Sequence, residues 1–214
     1  MAQHSLKFVI VDYGMGNLRS VQKALETIGC SAAISNRPED IEQAGTVILP
    51  GVGAFDAAIQ TIRSLKLDGP IAGAISKGKP YLGICLGLQL LFESSEEGNQ
   101  KGLGIVKGRV PKFKFGSPSP LKIPHMGWNT LTIQKPSPLF KGITADDRFY
   151  FVHSFYAAPA DSTVVSATTD YGGSFTSSIW KDNVVATQFH PEKSGPVGLR
   201  MLKNFVEWAS EPRR

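Results

Sequence analysis

Tyr81-Leu82-Gly83-Ile84-Cys85-Leu86-Gly87 is the stretch on which the reading of the fold turns. Pro80 to Ile84 is a short apolar run, the pattern of a parallel strand buried on both faces. Leu86 to Phe92 then has helical spacing, with Leu86, Leu90 and Leu91 apolar. A strand that turns straight into a helix forces the junction residue into strained backbone. A side chain two positions to either side would clash across the turn. Gly-x-Cys-x-Gly meets both demands and has the spacing of a nucleophile elbow, with Cys in place of Ser. The thiol would project at the carboxyl end of the sheet, where open α/β folds bind ligands. The helix start would supply N–H donors and a positive dipole end for a thiolate and a developing oxyanion. A buried structural cysteine between two packing glycines is the plainer reading of the same residues.

The pattern repeats toward the N-terminus. Leu6 to Val11 reads as a buried strand that ends in Asp12-Tyr13-Gly14. Asn17 to Ile28 is helical, with Leu18, Val21, Leu25 and Ile28 on one face and Gly29 as its stop. Thr46 to Leu49 reads as a strand that breaks at Pro50-Gly51-Val52-Gly53. Ala54 to Leu65 and Pro70 to Ser76 are helical, and Gly78 closes the second. Such alternation predicts a parallel sheet covered on both faces.

After residue 92 the texture changes. Leu103 to Phe115, Gly127 to Ile133, Phe149 to Tyr156, Val164 to Thr168, Phe175 to Ile179 and Val184 to Gln188 are strand-like, with turn residues between them. Phe115 to Pro124 reads as a surface loop, and Gly198 to Ala209 as a last helix. The fold expected is α/β, a mostly parallel central sheet flanked by helices, with additional antiparallel strands in the C-terminal half. A single domain over 1–214 is expected.

A cysteine nucleophile wants a base. Of His4, His125, His153 and His190, the last sits just past the Val184 to Gln188 strand, in Gln188-Phe189-His190-Pro191-Glu192. That also places it at a strand end. Glu192, two residues on, can hold the imidazole in one tautomer and stabilise its cation. A turn histidine beside a solvated glutamate fits the same pair. Gly51 and Gly53 mark a second strand-to-helix junction, whose N–H groups could face an anion. A plain βα turn fits these glycines equally.

Other classes find little support. The net charge is +5, but the basic residues are scattered; the runs Lys107 to Lys114 and Arg213-Arg214 lack the length and aromatic interleaving of a nucleic-acid surface. The Pro50 to Gly53 loop is not followed by Lys-Ser or Lys-Thr, and Gly14-Met15-Gly16 lacks the third glycine of a dinucleotide fingerprint, so no nucleotide cofactor is indicated. Cys30 and Cys85 make no disulfide framework and no zinc spacing. The N-terminus has no signal-type apolar core, and no stretch reaches the roughly 18 apolar residues of a membrane helix. A soluble cytoplasmic protein is expected, with no metal and no membrane association.

Gly83-Ile84-Cys85-Leu86-Gly87 with Gln89, followed by His190-Pro191-Glu192, resembles the class I glutamine amidotransferases, whose fold is flavodoxin-like. Asp12 to Leu18, Pro50 to Phe55, Pro124-His125-Met126-Gly127-Trp128-Asn129 and Tyr150 to Tyr156 are similar to those members that feed a cyclase in histidine biosynthesis. Phe155 stands where other members often carry Tyr, a change expected to be harmless. The resemblance implies that Cys85, His190 and Glu192 hydrolyse L-glutamine through a thioester. It implies that Gly51, Val52, Gly53 and Leu86 surround the oxyanion and that Gln89 helps bind substrate. Ammonia would pass to a cyclase subunit of (β/α)8-barrel type, in a heterodimer, for synthesis of imidazole glycerol phosphate and an aminoimidazole carboxamide ribotide. Met126, Trp128 and Tyr150 would lie toward that partner or the ammonia exit, although core packing is the simpler reading of all three. A glutaminase subunit for pyridoxal 5'-phosphate synthesis, a cysteine hydrolase of the same fold and a non-enzymatic binding module are the alternatives.

Overall fold

The structure, a computed structural model, describes residues 7–212, so the readings that touch His4, Leu6 and Arg213-Arg214 fall outside it. In chain order the strands are β1 (Phe8–Val11), β2 (Ala33–Ser35), β3 (Thr46–Gly51), β4 (Tyr81–Cys85), β5 (Ser94–Ser95), β6 (Gly108–Val110), β7 (His125–Thr130), β8 (Thr132–Ile133), β9 (Arg148–His153), β10 (Ala158–Pro159), β11 (Val165–Asp170), β12 (Ser174–Lys181) and β13 (Val184–Thr187). The α-helices are α1 (Leu18–Thr27), α2 (Pro38–Gln43), α3 (Phe55–Ser64), α4 (Asp68–Ser76), α5 (Leu86–Gln89) and α6 (Gly195–Ser210). The eight-stranded central sheet runs β2-β1-β3-β4-β13-β12-β11-β8. Its first five strands are parallel neighbours. The last three extend it antiparallel. The α/β class expected from the sequence is the one that forms.

The apolar runs are continuous because both sheet faces are covered. Side chains alternate across a strand, so Val9 and Val11 pack in one cluster with Ile41, Phe55, Ile59 and Ile71 from α2, α3 and α4. Phe8 and Ile10 pack in the other with Val21, Leu25, Met201 and Phe205 from α1 and α6. Burying one such side chain contributes roughly 1.5–3 kcal/mol. The register then aligns the strand ends that matter: Gly51 lies beside Cys85, and Ile84 beside Thr187.

Helix ends follow local chemistry. The Asn17 side chain accepts the Ser20 N–H and caps α1. At the other end Gly29, with φ +81°, lets its own N–H reach Glu26 O and that of Cys30 reach Leu25 O. That is a Schellman closure. Helix α3 closes the same way, with Lys66 at φ +57° in place of glycine. Lys66→Gly is therefore expected to raise the unfolding free energy by roughly 0.5 kcal/mol, the relieved strain less the extra freedom of the unfolded chain. Urea denaturation checks it; a lower midpoint would contradict it.

Four expectations need correction. The helix read over Leu86 to Phe92 ends at Gln89. The carbonyls of Leu90, Leu91 and Phe92 accept the amides of Leu103, Val106 and Gly104 rather than continuing the helix. The strand read over Leu103 to Phe115 shrinks to β6, because the amides of Leu103, Gly104 and Val106 are spent on those contacts. Gly127 to Ile133 divides at buried Leu131: β7 pairs β9, whereas β8 joins β11 and becomes the edge strand of the central sheet. Phe149 to Tyr156 stops at His153, after which Phe155 bridges Lys112. The sequence reading also passed over β2 and α2.

Candidate active site

The carboxyl ends of β3, β4 and β13 bring the sequence-predicted residues together. Cys85 joins β4 to α5 with φ +55° and ψ −107°, the strained junction expected of an elbow. The flanking glycines are needed for space. A Cβ on Gly83 would come within 2.7 Å of Gly87 O, and one on Gly87 would overlap the Leu49 carbonyl of β3. Gly51 sits between Leu86 and the Tyr13 hydroxyl, where a Cβ would meet both.

His190 follows β13 on extended backbone, and its amide donates to Tyr150 O on β9 at 2.9 Å. Its Nδ1 lies 2.7 Å from Glu192 Oε1, with both side chains buried. Burial pulls the His190 pKa down. Negative charge at Cys85, contact with the Cys85 side chain and the bond and charge of Glu192 outweigh it, holding the ring up at about 10. Nε2 makes no aligned hydrogen bond among the described residues.

The sign of the resulting pH dependence follows from linkage. A ring that holds its proton to about 10 in the fold but to about 6.5 when unfolded stabilises the fold fully below pH 6.5. That contribution is lost as the pH rises through 10. Glu192→Gln weakens the hold, so the stability gap between wild type and variant is expected to be largest near pH 6 and to shrink toward pH 10. Denaturation at a series of pH values measures it; a gap that grows with pH would refute the pairing.

A pocket of about 380 Å³ opens over Cys85, lined by Val52, Gly53, Leu86, Gln89, Glu97, Pro124 and the segment Val152 to Phe155. Cys85 itself is 7% exposed. A larger hollow of about 520 Å³ lies between the Ile133–Lys141 segment and α6, and no cysteine or histidine lines it. Sequence reasoning did not assign Glu97, His153 or Gln188 to the site. Gln188 donates to Cys85 Sγ at 3.7 Å. Its signal was available, since it stands two residues before His190 on extended chain and so shares its side. Glu97 and His153 reach the pocket by tertiary folding alone.

Of the three residues placed toward a partner, Met126 is 63% and Trp128 52% exposed, on β7. Core packing does not describe these two. Tyr150, opposite Trp128 on β9, is half-buried, and the two rings are 5.9 Å apart. Among the described residues no group of three or more His, Cys, Asp or Glu could hold a metal ion, and no helix is long and apolar enough to cross a membrane.

An elbow cysteine in a pocket at the carboxyl edge of an α/β sheet that also carries a histidine–glutamate pair has the components of a nucleophile with its base. The chain belongs to the class-I glutamine amidotransferases: the sequence model of that family matches residues 9–208. Within it, the chain is 52% identical over 201 residues to "Imidazole glycerol phosphate synthase subunit HisH" of Syntrophotalea carbinolica, covering 92% of this chain and 98% of that one. It is also 52% identical over 208 residues to the subunit of the same name from Aquifex aeolicus, covering 96% and 99%. Among solved structures, a glutamine amidotransferase superposes with a TM-score of 0.72 at 21% identity, covering 95% of this chain and 99% of that one. PurLQS from Thermotoga maritima gives the same TM-score at 19% identity and the same coverage. At such identities these two show the fold alone.

Proposed function

We infer that the chain is the glutaminase subunit of an imidazole glycerol phosphate synthase, releasing ammonia from glutamine for histidine biosynthesis. Curated relatives at about half identity over nearly the whole chain support the subunit. The observation that carries the chemistry is Cys85 at φ +55° on the floor of a pocket of about 380 Å³, roomy enough for glutamine, with the His190–Glu192 pair on the next strand end.

In the mechanism proposed, Cys85 Sγ attacks the carboxamide carbon of glutamine. The carbonyl electron pair moves onto oxygen, where the Leu86 N–H and the Gly51-Val52-Gly53 loop receive it. Imidazolium His190 gives its proton to the departing nitrogen, and ammonia leaves as the thioester forms. His190 then takes a proton from water, which attacks the thioester; glutamate departs and the thiol is restored. Glu192 holds the imidazole. Gln89 binds the substrate amide. Glu97, already accepting the Phe55 N–H at 2.7 Å, supplies a carboxylate for the substrate's ammonium group.

Ammonia passes to a cyclase subunit, HisF, of (β/α)8-barrel type, in a heterodimer. The exposed Met126 and Trp128, with Tyr150 behind them, form the face turned to it. Tyr150 O receives the His190 amide, so this face adjoins the catalytic turn. The test is glutamate release with and without purified cyclase and its phosphorylated ligand. Stimulation of about tenfold or more, within the range of ordinary allosteric coupling, is expected. Activity indifferent to the cyclase would remove the assignment.

A further inference from the structure

One run of hydrogen bonds joins the exposed β7–β9 ribbon to the sulfur of Cys85. Asn129 Nδ2 lies 3.4 Å from His125 Nε2 and donates to Asp170 O at 2.9 Å. His125 Nδ1 lies 3.0 Å from His153 Nε2, and His153 Nδ1 lies 2.8 Å from Phe155 O. That carbonyl also receives Gln89 Nε2 at 3.0 Å. Gln89 gives its second N–H to Gln188 Oε1 at 3.1 Å, and Gln188 Nε2 ends the run on Cys85 Sγ.

Only one arrangement of protons satisfies every link. Phe155 O can only accept, so His153 must carry its proton on Nδ1. Its Nε2 is then an acceptor, and His125 must likewise carry its proton on Nδ1. His125 Nε2 is left to accept from Asn129. Both rings must be neutral, because a second proton on either would set two donors against each other. The surroundings enforce this. Both rings are buried, with Phe113, Phe151, Phe175 and Tyr171 around them; Tyr171 stacks on His125 with ring centroids 4.0 Å apart. Desolvation pushes the His125 pKa down to about 4. It pushes that of His153 down to about 3, against the pull of the Phe155 carbonyl.

We propose that His125 and His153 are positioning residues for the glutaminase reaction: as a neutral Nδ1–H pair they fix the Phe155 carbonyl, and through it the amide orientations of Gln89 and Gln188 at Cys85. With both N–H bonds of Gln89 committed, its Oε1 is the atom left for the substrate amide. Gln188 presents its NH2, not its oxygen, to the sulfur. The inference rests on the glutaminase reading and adds what sets the polarity of that site. It also gives the ribbon a physical line to the nucleophile that does not pass through His190.

Nitrogen-15 NMR of the histidine-labelled full chain at pH 7 tests the proton arrangement without a mutation. Both rings are expected as neutral Nδ1–H tautomers, the minority form of a free imidazole in water. An Nε2–H or cationic ring at either position overturns the proposal. The second measurement is kcat and KM for glutamine in the complex with the cyclase subunit. His153→Asn keeps a donor near the Nδ1 position and is expected to hold kcat/KM within about threefold, whereas His153→Leu loses about tenfold or more, as expected for a lost buried hydrogen bond. Equal activity of His153→Leu and wild type sinks the proposal alone. A wild type that hydrolyses no glutamine in any condition sinks the glutaminase reading with it.

Discussion

Cys85→Ala is expected to abolish glutamine hydrolysis, a loss of about 10^4-fold or more, while the chain stays folded. The nucleophile is the one part of the proposed mechanism that no neighbour replaces. Gln188 presents to the sulfur position an amide N–H, which is no nucleophile, and His190 Nδ1 is taken by Glu192. The fold loses little. Alanine keeps the Cβ, and the sulfur makes one long hydrogen bond from Gln188. Above pH 10, where the His190 charge that Cys85 helps to hold no longer contributes, the unfolding free energy should therefore stay within about 1 kcal/mol of wild type. Cys85→Gly separates the backbone from the side chain. At φ +55° and ψ −107° a residue with a Cβ carries about 1–3 kcal/mol of strain. Glycine relieves it, so this variant should be inactive yet at least as stable as Cys85→Ala. Glutamate release and urea unfolding on the three proteins decide the matter. If Cys85→Ala were active, the elbow would be a packing feature and the plainer reading of the motif would stand.

The parts of the fold that were legible in the sequence are those where burial dictates pattern. Phe8–Val11, Thr46–Leu49, Tyr81–Ile84 and Val184–Thr187 are buried throughout and mostly apolar because both faces of the sheet are covered, and such a run between turn residues has few other meanings. The three strand ends that carry Gly51, Cys85 and His190 follow from those runs. What was missed carries little burial. Helix α2 buries only Ile41, so it has no periodicity to read. Strand β2 is three residues on the outer edge of the sheet. What was overread has the right pattern but the wrong partners. Leu90 to Phe92 are apolar at helical spacing, yet their carbonyls serve the 103–106 segment. The pocket wall was the least legible. Glu97 comes from the turn after β5 and His153 from the end of β9; nothing local relates either to Cys85. His125 and His153 are 28 residues apart and meet only through the β7–β9 register, which pairs them directly.

Gly87→Ala is expected to destabilise the fold by about 3 kcal/mol or more, although helix propensity alone would favour alanine by about 1 kcal/mol. The reason is the closeness of α5 to β3. A Cβ on Gly87 would overlap the Leu49 carbonyl, a backbone atom in the middle of the sheet that no rotamer change can clear. Strand β3 is held between β1 and β4, with Leu49 itself opposite Gly83, so relief requires α5 to lift away. Lifting α5 drags Cys85 and Leu86 from the floor of the pocket, so glutaminase activity should fall with stability. Gly53 offers the control. It has φ +100° but open space where a Cβ would stand, so Gly53→Ala should cost only the backbone strain, about 1–2 kcal/mol. Urea midpoints of the two variants rank the effects. If Gly87→Ala were no worse than Gly53→Ala, the helix would not lie against the strand as described, and the steric account of the Gly-x-Cys-x-Gly spacing would fail at its second glycine.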